Sequence, residues 1–413
     1  MRPSSLLAVF FGAGLAMLAG GAVAGVAHAA GAGSGDDLRW VALHLALLGG
    51  VSQLVLGAAQ FFVCAFLATD PPPTRLLAAQ LATWNAGALL VAAGVPLGAR
   101  PLVDAGGALI VAGLVLFALG LRGMQRRSLQ QARWAVRWYQ ACAACLGAGA
   151  LIGVAMADDV VWTSGSLLGA HLALNLGGWL GTAIVGTLHT FFPSLTSTRL
   201  RFPRLQGPTF VLWLLGVVAL AVGAAYDVTA LIALGWLELA AAAVLLGVNL
   251  AASLRAAPRP LRLPARLLAA GHAMLLAGTV VALAASLADN AHAPFTGAWR
   301  DTSAALLLAG WIGLTVAGSL LHLLSVLRRV RAGHPPPVPR PWRDRLIAGA
   351  ATAAIALLAA GTAADVRGLR VAAGAATLAV AALLVARIAA LAAAALRPGR
   401  DVGPFGAPPR PRT

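Results

Sequence analysis

Apolar runs separated by short polar, arginine-bearing segments make up almost the whole chain. A run of about 17–25 apolar residues can cross a bilayer as a helix, since each residue rises about 1.5 Å and the hydrocarbon layer is about 30 Å thick. Twelve such runs are present, at roughly 5–29, 38–67, 74–98, 101–121, 134–157, 164–196, 208–226, 229–254, 266–288, 300–327, 346–363 and 369–396. The pattern predicts an all-α integral membrane protein with twelve transmembrane helices. The first run follows Arg2 and ends near His28-Ala29-Ala30, as a signal peptide would. Its apolar part exceeds the about 7–15 residues of a signal-peptide core, so it is read as a helix.

One stretch stands out within these runs: His171-Leu-Ala-Leu-Asn175-Leu-Gly-Gly178-Trp179, continuing through Gly181 and Gly186 to His189. Part of it returns as Gly310-Trp311-Ile-Gly313 and onward to Leu320. Aligned from Gly178 and Gly310, an offset of 132 (310 − 178), 5 of 11 positions are identical. Earlier, His44-Leu-Ala-Leu47 repeats His171-Leu-Ala-Leu174 at an offset of 127 (171 − 44). There Gly57 and Phe61-Phe62 match Gly186 and Phe191-Phe192 only with a drift of up to three residues, so the match of second copy to third is the firmer one. Twelve helices with a period of about 130 residues predict three pseudo-repeats of four. Their bounds are 1–135, 136–265 and 266–396, followed by a disordered cytoplasmic tail, 397–413. The recurring stretch is the second helix of each repeat. Its small residues permit close helix approach in lipid, so these three helices are expected to face inward.

Composition agrees. Charged residues make up 10% of the chain and hydrophobic ones 60%, with a mean hydropathy of +0.85; a soluble domain carries about 25% charged residues. The net charge of +17 suggests nucleic acid at first sight. The basic residues lie in short loops between apolar runs, where they set topology, so nucleic-acid binding is excluded and the lipid bilayer is the partner. All 30 basic residues are Arg, a bias that carries no mechanism. With both termini in the cytoplasm, 24 Arg fall inside and five outside, while nine acids fall outside and three inside. That asymmetry predicts a multi-pass protein of the cytoplasmic (inner) membrane with cytoplasmic N- and C-termini. Cys64, Cys142 and Cys145 lie in apolar runs and form no disulfide framework. Cys142 and Cys145 share one helix face, but without a second pair they are a weak metal signal.

Polar residues inside a bilayer are costly, so each needs a reading. His44 and His171 sit six or seven residues into their predicted helices, about 10 Å from the outer surface at 1.5 Å per residue. Three readings stand: hydrogen bonds to backbone or to Asn175, a shared heme or copper, and a proton or ion path. His189 and His322 lie near the inner helix ends and are read as interfacial. His28, His292 and His334 are read as solvated, with His28 and His292 able to join an outer site, and His272 lies toward the cytoplasm. Glu238, about ten residues into the eighth helix, is the one carboxylate read as lying within the membrane and needs a hydrogen-bond partner or a role. Trp179 and Trp311 are read as packing residues. No phosphate-binding loop, H-E-x-x-H or G-x-S-x-G occurs, which removes nucleotide hydrolysis, zinc proteolysis and a nucleophile elbow.

Twelve helices in three fours, with His on the second helix of a repeat, resemble subunit I of the heme-copper oxidases. They resemble still more its non-oxidase relatives, the NnrS-type membrane proteins linked to nitric oxide stress. The stretch from His171 to Pro193 also looks like the membrane domain joined to copper nitrite reductases in some actinobacteria. The resemblance implies that His44 matches a heme-ligand position and His171 a copper-ligand position. The chain departs from the oxidases in having Thr302 and Ser303 where outer ligands would stand, no His pair in the seventh helix, and no His-Pro-Glu-Val-Tyr in the sixth. A full oxygen-reducing centre is therefore not expected. The expectation is an oxidase-like scaffold holding heme b or copper at His44 and His171 near the outer face, with a cupredoxin or copper-enzyme partner and a link to nitrogen-oxide or copper-enzyme metabolism. Two other classes remain: a secondary transporter using Glu238, Asn175 and the Gly-rich helices, and a structural membrane anchor for a copper enzyme. Nothing in the sequence assigns a catalytic turnover.

Overall fold

A computed structural model describes residues 2–32, 35–129, 133–160, 163–288, 295, 297–332 and 340–396. His292, His334 and the tail from 397 lie outside the described residues. Among the described residues there is no strand, and 12 helices are long and apolar enough to cross a membrane. In order they are α1 (Pro3–Ala29), α2 (Asp36–Leu67), α3 (Thr74–Gly94), α4 (Arg100–Arg127), α5 (Trp134–Ala157), α6 (Leu167–Thr196), α7 (Pro203–Tyr226), α8 (Thr229–Ala256), α9 (Leu263–Ala288), α10 (Gly297–Val330), α11 (Pro341–Ala363) and α12 (Arg367–Ala395). Two compact units divide the chain, an N-terminal one over Met1–Ala183 and a C-terminal one over Ile184–Thr413.

Three helices are not α-helical throughout. α2, α6 and α10 contain π-helical segments at Leu45–Val51, Ala173–Gly181 and Ala305–Gly313. A π-segment widens the helix and shifts the side chains that follow it, and such segments gather at functional sites. In the first two, the next hydroxyl bonds back five residues: Ser52 Oγ donates to the Leu47 carbonyl at 2.8 Å and Thr182 Oγ1 to the Gly177 carbonyl at 3.4 Å. In the third, Leu314 occupies that place.

Hairpins of consecutive helices recur with the same details. α3–α4, α7–α8 and α11–α12 each turn through a residue in the left-handed region, Gly98 at φ 60°, Asp227 at φ 56° and Asp365 at φ 52°. In each, the next amide donates 2.9 Å back to a glycine carbonyl: Ala99 to Gly94, Val228 to Gly223 and Val366 to Gly361. That glycine is required by close approach. A Cβ built on Gly94, Gly223 or Gly361 would stand 3.0, 2.8 or 3.0 Å from the backbone nitrogen of Val103, Ile232 or Arg370. Higher in the hairpins, Gly87 crosses Gly106 and Gly216 crosses Gly235, both pairs displaced by 129 (216 − 87 and 235 − 106).

Aromatic side chains fill the centre of each unit. In the N-terminal unit Trp84 packs on Trp179, with ring centroids 6.3 Å apart; in the C-terminal unit Trp213 packs on Trp311 at 5.6 Å. Trp84, Trp179, Trp213 and Trp311 are all buried, so the packing role read for Trp179 and Trp311 is the one they have.

Candidate functional site

The direct contact between α2 and α6 sets the geometry. Trp179 Nε1 donates to Ser52 Oγ at 2.7 Å, inside the N-terminal unit. From that bond His44 lies eight residues back along α2 (52 − 44), and His171 eight residues back along α6 (179 − 171). Both eight-residue stretches are mostly π-helical, so they rise by the same amount. Both histidines therefore share one level, each next to the start of a π-segment. The two rings also lie within electrostatic range of one another.

Each imidazole is half-buried and anchored through the same nitrogen. His44 Nδ1 lies 3.0 Å from the Trp40 carbonyl, with the ring stacked on Trp40 at a centroid separation of 3.7 Å. His171 Nδ1 lies 2.9 Å from the Gly149 carbonyl of α5. A carbonyl only accepts, so Nδ1 carries the proton in both. In the neutral ring that leaves Nε2 with the lone pair, the arrangement by which a backbone carbonyl orients a metal-binding imidazole.

Asn175 supports His171 from one turn further on. Its Nδ2 donates to the His171 carbonyl at 2.8 Å, and its Oδ1 is buried without a hydrogen-bond partner. Room for both side chains comes from two glycines of α5. A Cβ on Gly149 would collide with the Asn175 amide, and one on Gly153 would reach His171 Cε1 at 3.0 Å. Across α2, a Cβ on Gly21 of α1 would stand 2.9 Å from the Ala42 carbonyl oxygen. The helices around this level are tightly packed.

The other residues singled out in the sequence lie elsewhere. His189 is fully buried within the protein, and its Nδ1 donates to the Val185 carbonyl at 2.9 Å. His322 is half-buried and sits edge-on to Phe191 at 5.4 Å. Glu238 belongs to α8 in the C-terminal unit and is half-buried, with Oε2 lacking a hydrogen-bond partner. Cys142 is buried, its Sγ donating to the Tyr139 carbonyl.

Sequence reasoning gave no role to several interior polar residues. His272 of α9 is 5% exposed, lies against the backbone of Ala243 and is within electrostatic range of His189. Gln53, Gln60 and Gln80 are fully buried in α2 and α3. These glutamines drew no notice because they are neutral and far from the recurring stretch of α6, yet an amide inside an apolar run carries the same warning as a histidine.

Among the described residues, no three His, Cys, Asp or Glu side chains gather to hold a metal ion. No family model and no curated protein matches the chain.

Proposed function

We propose that the protein is a cytoplasmic-membrane protein of oxidase-like architecture that binds copper or heme iron between His44 and His171, near the outer face. The observation that supports this most is the pair of imidazoles at one level, each held through Nδ1 by a backbone carbonyl and each presenting Nε2. Two imidazoles suit a group that asks the protein for two ligands. Heme iron is one, its other four ligands being the macrocycle's; copper(I), which imidazole also suits, is the other. The close packing of α1 on α2 and of α5 on α6 at this level favours the single ion over the macrocycle. Copper bound there would supply one-electron redox chemistry. The chain's own residues orient the two rings, exclude water with Trp40 and the apolar helices, and fix the tautomer of each neutral imidazole through its donated Nδ1 proton. Placement near the outer face, which rests on the arginine distribution, would open the site to a cupredoxin or copper-enzyme partner and to nitrogen-oxide chemistry.

The proposed scaffold is three related fours of helices. It is supported by the π-segments of α2, α6 and α10, by the matching hairpin turns, and by Trp84 and Trp213, which stand 129 residues apart (213 − 84).

Metal analysis and an absorption spectrum of the purified protein test the site. Copper near one equivalent, or a Soret band, supports it. A protein that takes up neither copper(I) nor heme when supplied refutes it and leaves the histidines as hydrogen-bonding packing residues. One observation favours a second reading, transport: the unpartnered Oε2 of Glu238. On that reading Glu238→Gln abolishes uptake of a solute while copper content is unchanged.

A further inference from the structure

Three glutamines in the N-terminal unit lack the partners that burial demands. Gln53, Gln60 and Gln80 are each 0% exposed. Both amide atoms of Gln53 and of Gln80 are unpartnered, as is Oε1 of Gln60, whose Nε2 donates to the Leu56 carbonyl at 3.1 Å. Such groups in an apolar interior are rare because nothing replaces the water they lost.

The three side chains form one track. Gln53 and Gln60 are seven residues apart on α2, hence on one face and about 10 Å apart along it. Gln80 lies one turn before Trp84, on the same face of α3, and the Trp84 indole donates to the Leu48 carbonyl of α2 at 3.2 Å. That face of α3 therefore looks at α2. α4 gives the depth: its Gly113 lies against Trp84, its Gly120 against Leu76, and its Met124 sulfur is 3.5 Å from that of Cys64. Counting along α4 puts Gln80 level with about residue 56 or 57 of α2, between the other two amides.

The scaffold does not require amides here. The matched hydroxyls of Ser52 and Thr182 pair Gln53 with Ala183, and the matched Trp84 and Trp213 pair Gln80 with Thr209; both partners are buried. Ala183 has no polar side chain, and Thr209 Oγ1 satisfies itself on the Leu205 carbonyl at 2.7 Å. The amides thus serve a guest. Three unpartnered oxygens need donors, and two unpartnered NH2 groups need acceptors. A cation satisfies only the first set and an anion only the second. A neutral molecule that both donates and accepts satisfies both.

We infer that Gln53, Gln80 and Gln60 line a buried site occupied by a file of water between α2 and α3. Successive waters about 2.8 Å apart bridge the roughly 10 Å track with three or four molecules, each held by side-chain amides. Its upper end lies beside Ser52, whose hydroxyl accepts from Trp179 and donates to Leu47. The site goes beyond the metal reading and does not depend on it.

Hydroxyl radicals made from bound water by a short X-ray pulse oxidise side chains next to that water even when they are buried. The intact protein supplies its own control. Trp84 and Trp213 are both fully buried, and each follows the position in question by four residues, Gln80 in one case and Thr209 in the other. Mass spectrometry should find Trp84 oxidised at least about fivefold faster than Trp213, because the water-bound amide of Gln80 stands one turn from the first and the self-satisfied Thr209 one turn from the second. Equal rates overturn the inference. The double variant Gln53→Ala, Gln80→Thr, which borrows the residues at the matching positions, should bring Trp84 down to the rate of Trp213. An excess that survives in the folded variant also overturns it. If the variant does not fold, the comparison in the unaltered protein decides alone.

Discussion

At the scale of single residues, the account turns on how buried polar atoms are satisfied. His44 and His171 spend Nδ1 on a carbonyl and keep Nε2; Asn175 fixes the carbonyl of His171 itself. Gly149 is the residue that lets this happen, since a Cβ there would enter the Asn175 amide. Gly149→Ala should therefore weaken copper(I) binding by about tenfold, as loss of supporting contacts around a metal does. It should also destabilise the protein by about 1–3 kcal/mol through overpacking. Competition with a copper(I) chelator and a thermal melt in detergent read the two effects, and an unchanged affinity would show that Asn175 does not position His171. The two histidines were legible in the sequence because a titratable group in an apolar run is conspicuous. Their equal distance from a shared Ser52–Trp179 bond was not, since no sequence rule pairs those two residues.

At the scale of elements, glycine contacts close the hairpins. Gly223→Ala would put a methyl 2.8 Å from the Ile232 nitrogen, a backbone atom that cannot step aside. We expect a loss of about 1–3 kcal/mol, read as a lowered melting temperature. Gly349→Ala on α11 meets nothing within 4 Å and should be neutral or stabilising by about 0.5–1 kcal/mol, as Ala is in an exposed helix. Equal effects would show that the hairpin glycines are not packing contacts. The sequence reading found the helices from the lengths of apolar runs but not the π-segments, because run length says nothing of the hydrogen bonding within a run. It also rested the repeat on the wording shared by α6 and α10. The recurring hairpin details of α3–α4 and α7–α8 went unread, because scattered glycines and one tryptophan do not align as a motif.

At the scale of the whole molecule, the twelve helices fall close to the runs read from hydropathy, because a bilayer sets one length for all of them. α2, α6 and α10, at 32, 30 and 34 residues, exceed what a bilayer needs, as the long apolar runs 38–67, 164–196 and 300–327 indicated. The division into two compact units between Ala183 and Ile184 was invisible to sequence, since it depends on which helices touch. Arginine placement predicts that a reporter fused after Thr413 behaves as cytoplasmic. An external C-terminus would turn the proposed site to the other face. The ion pairs Arg39–Asp36, Arg100–Asp159, Arg300–Asp301 and Arg370–Asp365 join residues read as outer. They are exposed, and such pairs add little stability, so neutralising one should not unfold the protein.

The central claim is that His44 and His171 hold one ion together. Copper(I) bound per protein, measured for the unaltered chain, His44→Ala, His171→Ala and the double variant, tests it most directly. A shared site predicts that each single variant falls as low as the double, with all four proteins still folded. Single variants that each keep about half of the copper, with losses that add in the double, would mean independent sites. Single variants that keep all of it would mean that neither histidine is a ligand.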